Sequence, residues 1–301
     1  DMRYYLGTRD AKVLAEKLPM ALIHEGVGVV MRDPSGKFAP GDRVVMVPNC
    51  PTETDDYIGE NYLRSSKFCG SSMDGFLQEY VEISPRRLVK LPQDINMNVA
   101  AFTEIVSVAV HAISRFDKIA HARRDAIGVW GDGNLAYIVS LFLKKTFPDS
   151  KVYVFGLNDD KLADFTFADG AYKTTEVPEG FTMDHAFECV GGNGSPIAIE
   201  QIIGLIKPEA TLSILGVSEY PVPINTRMIL EKGLRVFGSS RSGVADFEKT
   251  VQMYQQYPEI IDYLGNLISS VNVVRTTTDI KQAFEKDTQK AFGKTIMVWQ
   301  E

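Results

Sequence analysis

The chain has 301 residues, 45% hydrophobic and 24% charged, with a formal net charge of −7 at neutral pH. That length carries a sizeable core and points to two domains. The acidic balance argues against a nucleic-acid partner, and no apolar run is long enough to span a bilayer.

The chain opens on "DMRYYLG", with no initiator methionine and no helix cap, which reads as a truncated start. No signal peptide is visible, and three scattered cysteines, Cys50, Cys69 and Cys189, form no disulfide framework; a reducing cytoplasm is the expected setting. Residues 21–48 read as β structure. "ALIHEGVGVV" is apolar and punctuated by glycine, "DPSGKFAPGDRVVMV" supplies turns around 33–36 and 40–42, and 44–47 is an apolar run. Residues 49–74 are polar and irregular, as in an excursion loop. Residues 76–81, within "MDGFLQEYVEI", alternate like a strand. From about residue 97 the pattern turns helical, with Asn98 as the expected N-cap.

Short apolar runs then alternate with helical segments: "AIGVW", "KVYVF", "HAFECV", "TLSILGV" and "LRVFGSS". That order predicts an α/β fold with a doubly wound parallel sheet. After Gly243 come a helix, "DFEKTVQMYQQY", and a mixed tail ending in "KTIMVW".

"AIGVWGDGNLAYIV" carries G-x-G-x-x-A at Gly131, Gly133 and Ala136, after a strand and at the start of a helix. This is the context in which a dinucleotide pyrophosphate sits on a helix N-terminus. Gly131 makes the turn, Gly133 lets the backbone approach, Asn134 and Leu135 open the helix, and Ala136 allows close packing. An ordinary strand-to-helix turn can share the pattern. An acid at the tip of the second strand would hold the ribose of NAD. Here the tip is Gly156, and Asp159 and Asp160 read as first-turn helix residues. Without a tip acid, a 2′-phosphate is not repelled, and Asn158 and Lys161 can reach it. NADP(H) is therefore the expected cofactor.

His24 and Glu25 sit side by side in the first apolar stretch, and Glu104 lies in the helix near residue 98. Imidazole and carboxylate suit zinc. Spacing alone leaves other roles open: a hydrogen-bonded core histidine, a salt-bridge partner and a solvated helix residue. Adjacent strand residues also point to opposite faces. His111, His121 and His185 show no comparable pairing and read as structural. No cysteine quartet, G-x-S-x-G elbow or Walker loop occurs.

In this order, "DMRYYLG", "LIHEGVG", "GKFAPGDRVVMV", "TEIVSVAVHA", the glycine turn and "ECVGG" resemble the zinc-containing medium-chain alcohol and polyol dehydrogenases. Ile23 stands where that family usually has glycine, and Ile105 replaces a common proline. More narrowly, "LPMALIHEGVG", "VPNCPTETDDYIGENYL", "GVWGDGN", "DHAFECVGG", "ILEKG" and "GSSRSG" resemble the ribulose-5-phosphate reductases of bacterial wall teichoic acid synthesis. The resemblance implies a GroES-like catalytic domain over 1–105, a Rossmann domain over 106–243 and a returning segment over 244–301. It implies reduction of ribulose 5-phosphate by NADPH with zinc at His24, Glu25 and Glu104, and places a further cysteine ligand just before Asp1. It also implies a cytoplasmic homodimer and a cytidylyltransferase partner that uses the product. A dehydrogenase of unphosphorylated sugar alcohols is the alternative. By chemistry, Arg3, Arg9 and Arg241 are candidates for the substrate phosphate.

Overall fold

The computed structural model describes residues 1–290 and 292–300. Contacts divide the chain into two compact units, one of Asp1–Ser107 with Arg241–Glu301 and one of Val108–Ser240.

The first unit opens with two short helices, α1 (Met2–Tyr5) and α2 (Ala11–Lys17). Asp10 caps α2 by accepting from the amides of Lys12 and Val13. Strand β1 (Val27–Val29) pairs antiparallel with β2 (Arg43–Met46), in the register Val27↔Val45. β3 (Asn49–Cys50) and β4 (Lys67–Phe68) form a small hairpin in the excursion loop, and β5 (Leu88–Lys90) completes the sheet on β2. Val44, Val45, Met46 and Val47 are all buried, as their apolar run foretold.

Two expectations fail here. Residues 21–26 form no strand, and neither do 76–81. Instead the two segments lie against each other: the amides of Gly75, Phe76 and Leu77 donate to the carbonyls of Ala21, Ile23 and Leu22. Phe76 is buried but Tyr80, on the same alternate set, is 64% exposed, so the alternation marks no buried strand face. The helix cap also shifts. α3 (Met97–Ala100) is capped by Asn96, whose side chain accepts from the Asn98 amide at 3.0 Å. Asn98 lies one residue inside. α4 (Thr103–Ile119) follows.

The second unit is the doubly wound sheet. In chain order it runs β6 (Ala126–Trp130), α5 (Asn134–Thr146), β7 (Lys151–Gly156), α6 (Asp159–Ala163), β8 (Gly170–Lys173), β9 (Met183–Glu188), α7 (Ser195–Leu205), β10 (Ile206–Ile214), α8 (Thr226–Lys232) and β11 (Arg235–Gly238). The strands lie in the order β11-β10-β9-β6-β7-β8, every pair parallel. The winding reverses between β6 and β9, the switch point outside which such sheets bind ligands. Trp130, Phe155, Met183, Ile202 and Leu212 are fully buried in its core, with the Trp130 and Phe155 rings stacked at 4.2 Å. Burying such side chains contributes about 1.5–3 kcal/mol each.

At the opposite end of this sheet, His121 and His185 do pair, with ring centroids 4.3 Å apart. Asp184 is fully buried there. It is satisfied by Arg123, Lys207 and the Ala126 amide.

The chain then completes the first unit with α9 (Val244–Gln256), α10 (Glu259–Gly265), β12 (Ile268–Val274), α11 (Thr277–Gln289) and β13 (Lys294–Trp299), with β12 and β13 parallel. Tyr254 on α9 hydrogen-bonds Thr103 on α4 at 3.2 Å, and Phe284 on α11 stacks on Tyr5 at 4.3 Å. All three cysteines are free thiols. Among the described residues, no helix is long and apolar enough to cross a membrane.

Candidate functional site

Three ligand-type side chains converge in the first unit. One donor atom each from His24, Glu25 and Glu104 lies within 4.8 Å of the others. They come from two elements. Glu104 occupies the first turn of α4 and is buried. His24 and Glu25 lie in the loop before β1, where Ile23 adopts φ +68°. That turn removes the strand geometry under which neighbours face opposite ways. The loop is held by the backbone bonds to 75–77, and Gly75 must be glycine: a Cβ there would stand 2.2 Å from the Ile23 carbonyl oxygen.

The imidazole is oriented from behind. His24 Nδ1 lies 2.8 Å from Asp1 Oδ2, and Asp1 Oδ1 accepts from the Ile23 amide at 3.0 Å. With the Nδ1 proton donated to Asp1, Nε2 presents its lone pair to the cluster, 3.8 Å from Glu104 Oε2. Glu25 is gripped by Lys294, whose Nζ lies 2.6 and 2.8 Å from its two oxygens. Burial works to raise the Glu25 carboxyl, but Lys294 and His24 outweigh it and hold it below its usual range. Glu104 faces the His24 ring at 3.8 Å. Burial pushes it up to about 7, against the opposing pull of His24. Two carboxylates and an imidazole nitrogen within reach of one another make a donor set that fits a divalent cation. Sequence reading missed Asp1 and Lys294, since each acts across more than 20 residues of chain.

The three candidate arginines separate. Arg3 and Arg9 are exposed, with Arg9 lying over the Tyr4 ring. Arg241 takes φ +58°, its guanidinium lies 4.6 Å from the Phe68 ring centroid, and Phe68 in turn contacts the His24 ring. Its charge bears on Glu104. The next residue, Ser242, bonds Ser107 at 2.6 Å, and Ser107 donates to the Glu104 carbonyl at 2.6 Å. Arg241 is thus tied to the same turn of α4 that carries Glu104.

In the second unit the glycine turn has the expected form. Gly131 has φ +128°, and a Cβ there would meet the Cys189 carbonyl at 3.0 Å. Gly133 is the N-cap of α5, no side chain caps the helix, and a Cβ on Gly133 would point into open space. Ala136 is buried, while Asn134 and Leu135 are half-buried. This uncapped helix start with an open cradle fits a pyrophosphate. Glu188, which sequence reading did not single out in "ECVGG", is fully buried and accepts from the amides of Val190, Gly191 and Gly216. It fixes the loops after β9 and β10.

The tip of β7 differs from expectation. Gly156 is the last strand residue, yet an acid reaches the tip: Asp132, the middle residue of the turn, accepts from the Leu157 and Asn158 amides at 2.8 and 2.9 Å. The Asn158 side chain caps α6 by accepting from the Lys161 amide at 3.2 Å.

Comparison with known proteins identifies the family of the chain. Residues 1–93 match the alcohol dehydrogenase GroES-like domain and residues 152–256 the zinc-binding dehydrogenase domain. A ribulose-5-phosphate reductase of Bacillus spizizenii is 56% identical over 100% of this chain and 88% of its own length. The chain belongs to this reductase family. Ribulose-5-phosphate reductase 1 of Staphylococcus aureus is 52% identical over 99% of this chain and 88% of its own length. The crystal structure of S. aureus TarJ in complex with NADPH covers 100% of this chain and 87% of its own, at 46% identity and a TM-score of 0.89. The fold is thus a GroES-like unit and a Rossmann unit, and the family is one of zinc-type oxidoreductases.

Proposed function

We propose that the chain reduces D-ribulose 5-phosphate to D-ribitol 5-phosphate with NADPH, at a zinc ion held by His24, Glu104 and Glu25. The observation that carries this reading is the convergence of those three donors, with Asp1 behind the imidazole, in a chain of the reductase family. When bound, zinc supplies Lewis acidity to a carbonyl oxygen and the nicotinamide supplies hydride.

The chain's own residues bind and orient. Asp1 fixes the tautomer and angle of His24, and Lys294 keeps Glu25 ionised. Arg241 offers a forked donor for the substrate phosphate, stacked on Phe68 beside the site. Gly131, Gly133, Asn134, Leu135 and Ala136 take the cofactor pyrophosphate. Asn158 and Lys161 lie at its adenosine end, beyond Gly156. The product feeds CDP-ribitol formation for wall teichoic acid, in the cytoplasm, with a cytidylyltransferase as partner and a homodimer as the working form.

The test is NADPH oxidation with ribulose 5-phosphate, set against NADP-dependent oxidation of sorbitol and xylitol, with and without a chelator. Turnover of the phosphorylated ketose that chelation abolishes is expected. Oxidation of the free polyols with no activity on the phosphate ester would overturn the substrate assignment.

A further inference from the structure

The acid that dinucleotide-binding folds carry at the end of their second strand is absent from β7, but a carboxylate still stands at that tip. It arrives from the glycine turn. Asp132 Oδ2 accepts from two successive amides, those of Leu157 and Asn158, at 2.8 and 2.9 Å. Two adjacent N–H groups converging on one oxygen make an anion-binding nest. Here the chain fills the nest with its own charge.

The two positions exclude each other. A Cβ at Gly156 would stand 2.7 Å from Asp132 Cβ and 3.0 Å from its Oδ2. An acid at position 156 and Asp132 in its present rotamer cannot coexist. Gly156 therefore records the presence of Asp132 as much as the absence of an acid. The other charged groups at the tip nearly balance. Asp159 and Asp160 open α6, Asp159 is paired with Lys173, and Lys161 completes the turn. Asp132 adds a further negative charge at the point where the adenosine ribose of a bound dinucleotide lies.

We propose that Asp132 is the specificity-determining acid of the adenosine-ribose end, moved from the strand tip into the glycine turn, and that its charge restrains binding of the cofactor 2′-phosphate. The amides neutralise it in part, so the 2′-phosphate still binds, but more weakly than the same loop would hold it around an uncharged acceptor. This rests on the reading that NADPH occupies the glycine turn.

Asp132→Asn separates charge from shape. It keeps an acceptor oxygen for the two amides and removes the charge. Dissociation constants are measured calorimetrically for NADPH, NADH, 2′,5′-ADP and 5′-AMP, alongside the thermal midpoint. Relieving a like-charge contact at a partly solvated site is expected to tighten NADPH and 2′,5′-ADP by about three- to tenfold, with NADH and 5′-AMP changed by less than about twofold. Unchanged or weaker 2′,5′-ADP binding overturns the proposal, and so does a parallel change in all four ligands, which marks a loop support only. Asp132→Ser, a shorter neutral acceptor, must shift the same two ligands in the same direction, and it decides the matter should the Asn variant fail to fold. If the unaltered protein binds neither NADPH nor 2′,5′-ADP, the cofactor reading itself falls. If it binds both and the variants leave the phosphate-bearing pair unmoved, only the role of Asp132 falls.

Discussion

Asp1 offers the sharpest check on the metal site, because it touches a ligand without being one of the three converging donors. Its carboxylate makes two contacts: 2.8 Å to His24 Nδ1 and 3.0 Å to the Ile23 amide. Asp1→Ala removes both. The imidazole is then free to turn and to place its proton on Nε2, the nitrogen that faces Glu104. Loss of such an outer carboxylate costs about ten- to a hundredfold in metal affinity, or about 1.4–2.7 kcal/mol. Asp1→Asn has one acceptor oxygen where the carboxylate uses two, so it keeps one contact, loses the other together with the charge, and is expected within the same range. The assay is zinc competition against a chromogenic chelator on metal-stripped protein, with folding checked by circular dichroism. Zinc affinity unchanged in Asp1→Ala would refute the orienting role. A loss of more than about a thousandfold would refute it from the other side, since that exceeds what an outer-sphere partner supplies.

Arg241→Ala is expected to raise KM for ribulose 5-phosphate by about ten- to a hundredfold, the worth of a charge-assisted contact, while leaving unphosphorylated ribulose unchanged. Equal shifts for both sugars would remove Arg241 from phosphate recognition. His185 is lowered to about 4, by burial first and then by His121, and its Nδ1 accepts from the Thr211 amide. A depressed histidine contributes stability that is intact above its unfolded pKa and lost as pH falls through the folded one. Between about pH 6.5 and 4 the protein should lose about 2–3 kcal/mol more than a His185→Gln variant does, read by urea unfolding; parallel curves would refute this. Gly156→Ala should cost about 1–3 kcal/mol by collision with Asp132, and Asp132→Gly in the same chain should recover most of it; additive costs would show that the two positions do not meet.

The two units were legible to different degrees, for a physical reason. In the α/β unit β6, β7, β9 and β10 are short apolar runs each followed by a helix, so there local pattern and final position coincide. "AIGVW", "KVYVF" and "HAFECV" became β6, β7 and β9 in a sheet of the expected kind. In the other unit the chain is held by long-range partners. Residues 76–81 alternate as a strand does, yet the backbone of 75–77 bonds to residues 21–23 in a paired loop. The cluster of His24, Glu25 and Glu104 was readable as a set of donor types, but Asp1 and Lys294 were not. Nothing local ties residue 1 or 294 to residue 24 or 25. Asp132 was overlooked for a different reason: the fingerprint treats the residue between its glycines as a spacer, and here that residue carries the charge.

Ile23 shows how a local signal had been present and went unused. Its place in the family pattern usually belongs to glycine, and glycine at a fixed place implies a backbone that other residues avoid. The structure has that backbone, φ +68°, with a β-branched residue in it. The left-handed region costs an ordinary L-residue about 1–2 kcal/mol, and the cost is sustained because the bonds to 75–77 and Asp1 leave the loop no alternative. The same turn lets two adjacent residues, His24 and Glu25, serve one site. Ile23→Ala keeps the strain and loses half-buried side-chain contacts, so it should destabilise by about 1 kcal/mol or more. Ile23→Gly loses more contacts still but relieves the strain, so it should be the milder change, reversing the usual order of alanine and glycine. Zinc affinity should follow stability in both, because the turn positions two ligands at once. A glycine variant clearly less stable than the alanine one would mean that the turn is not what holds His24 and Glu25 together.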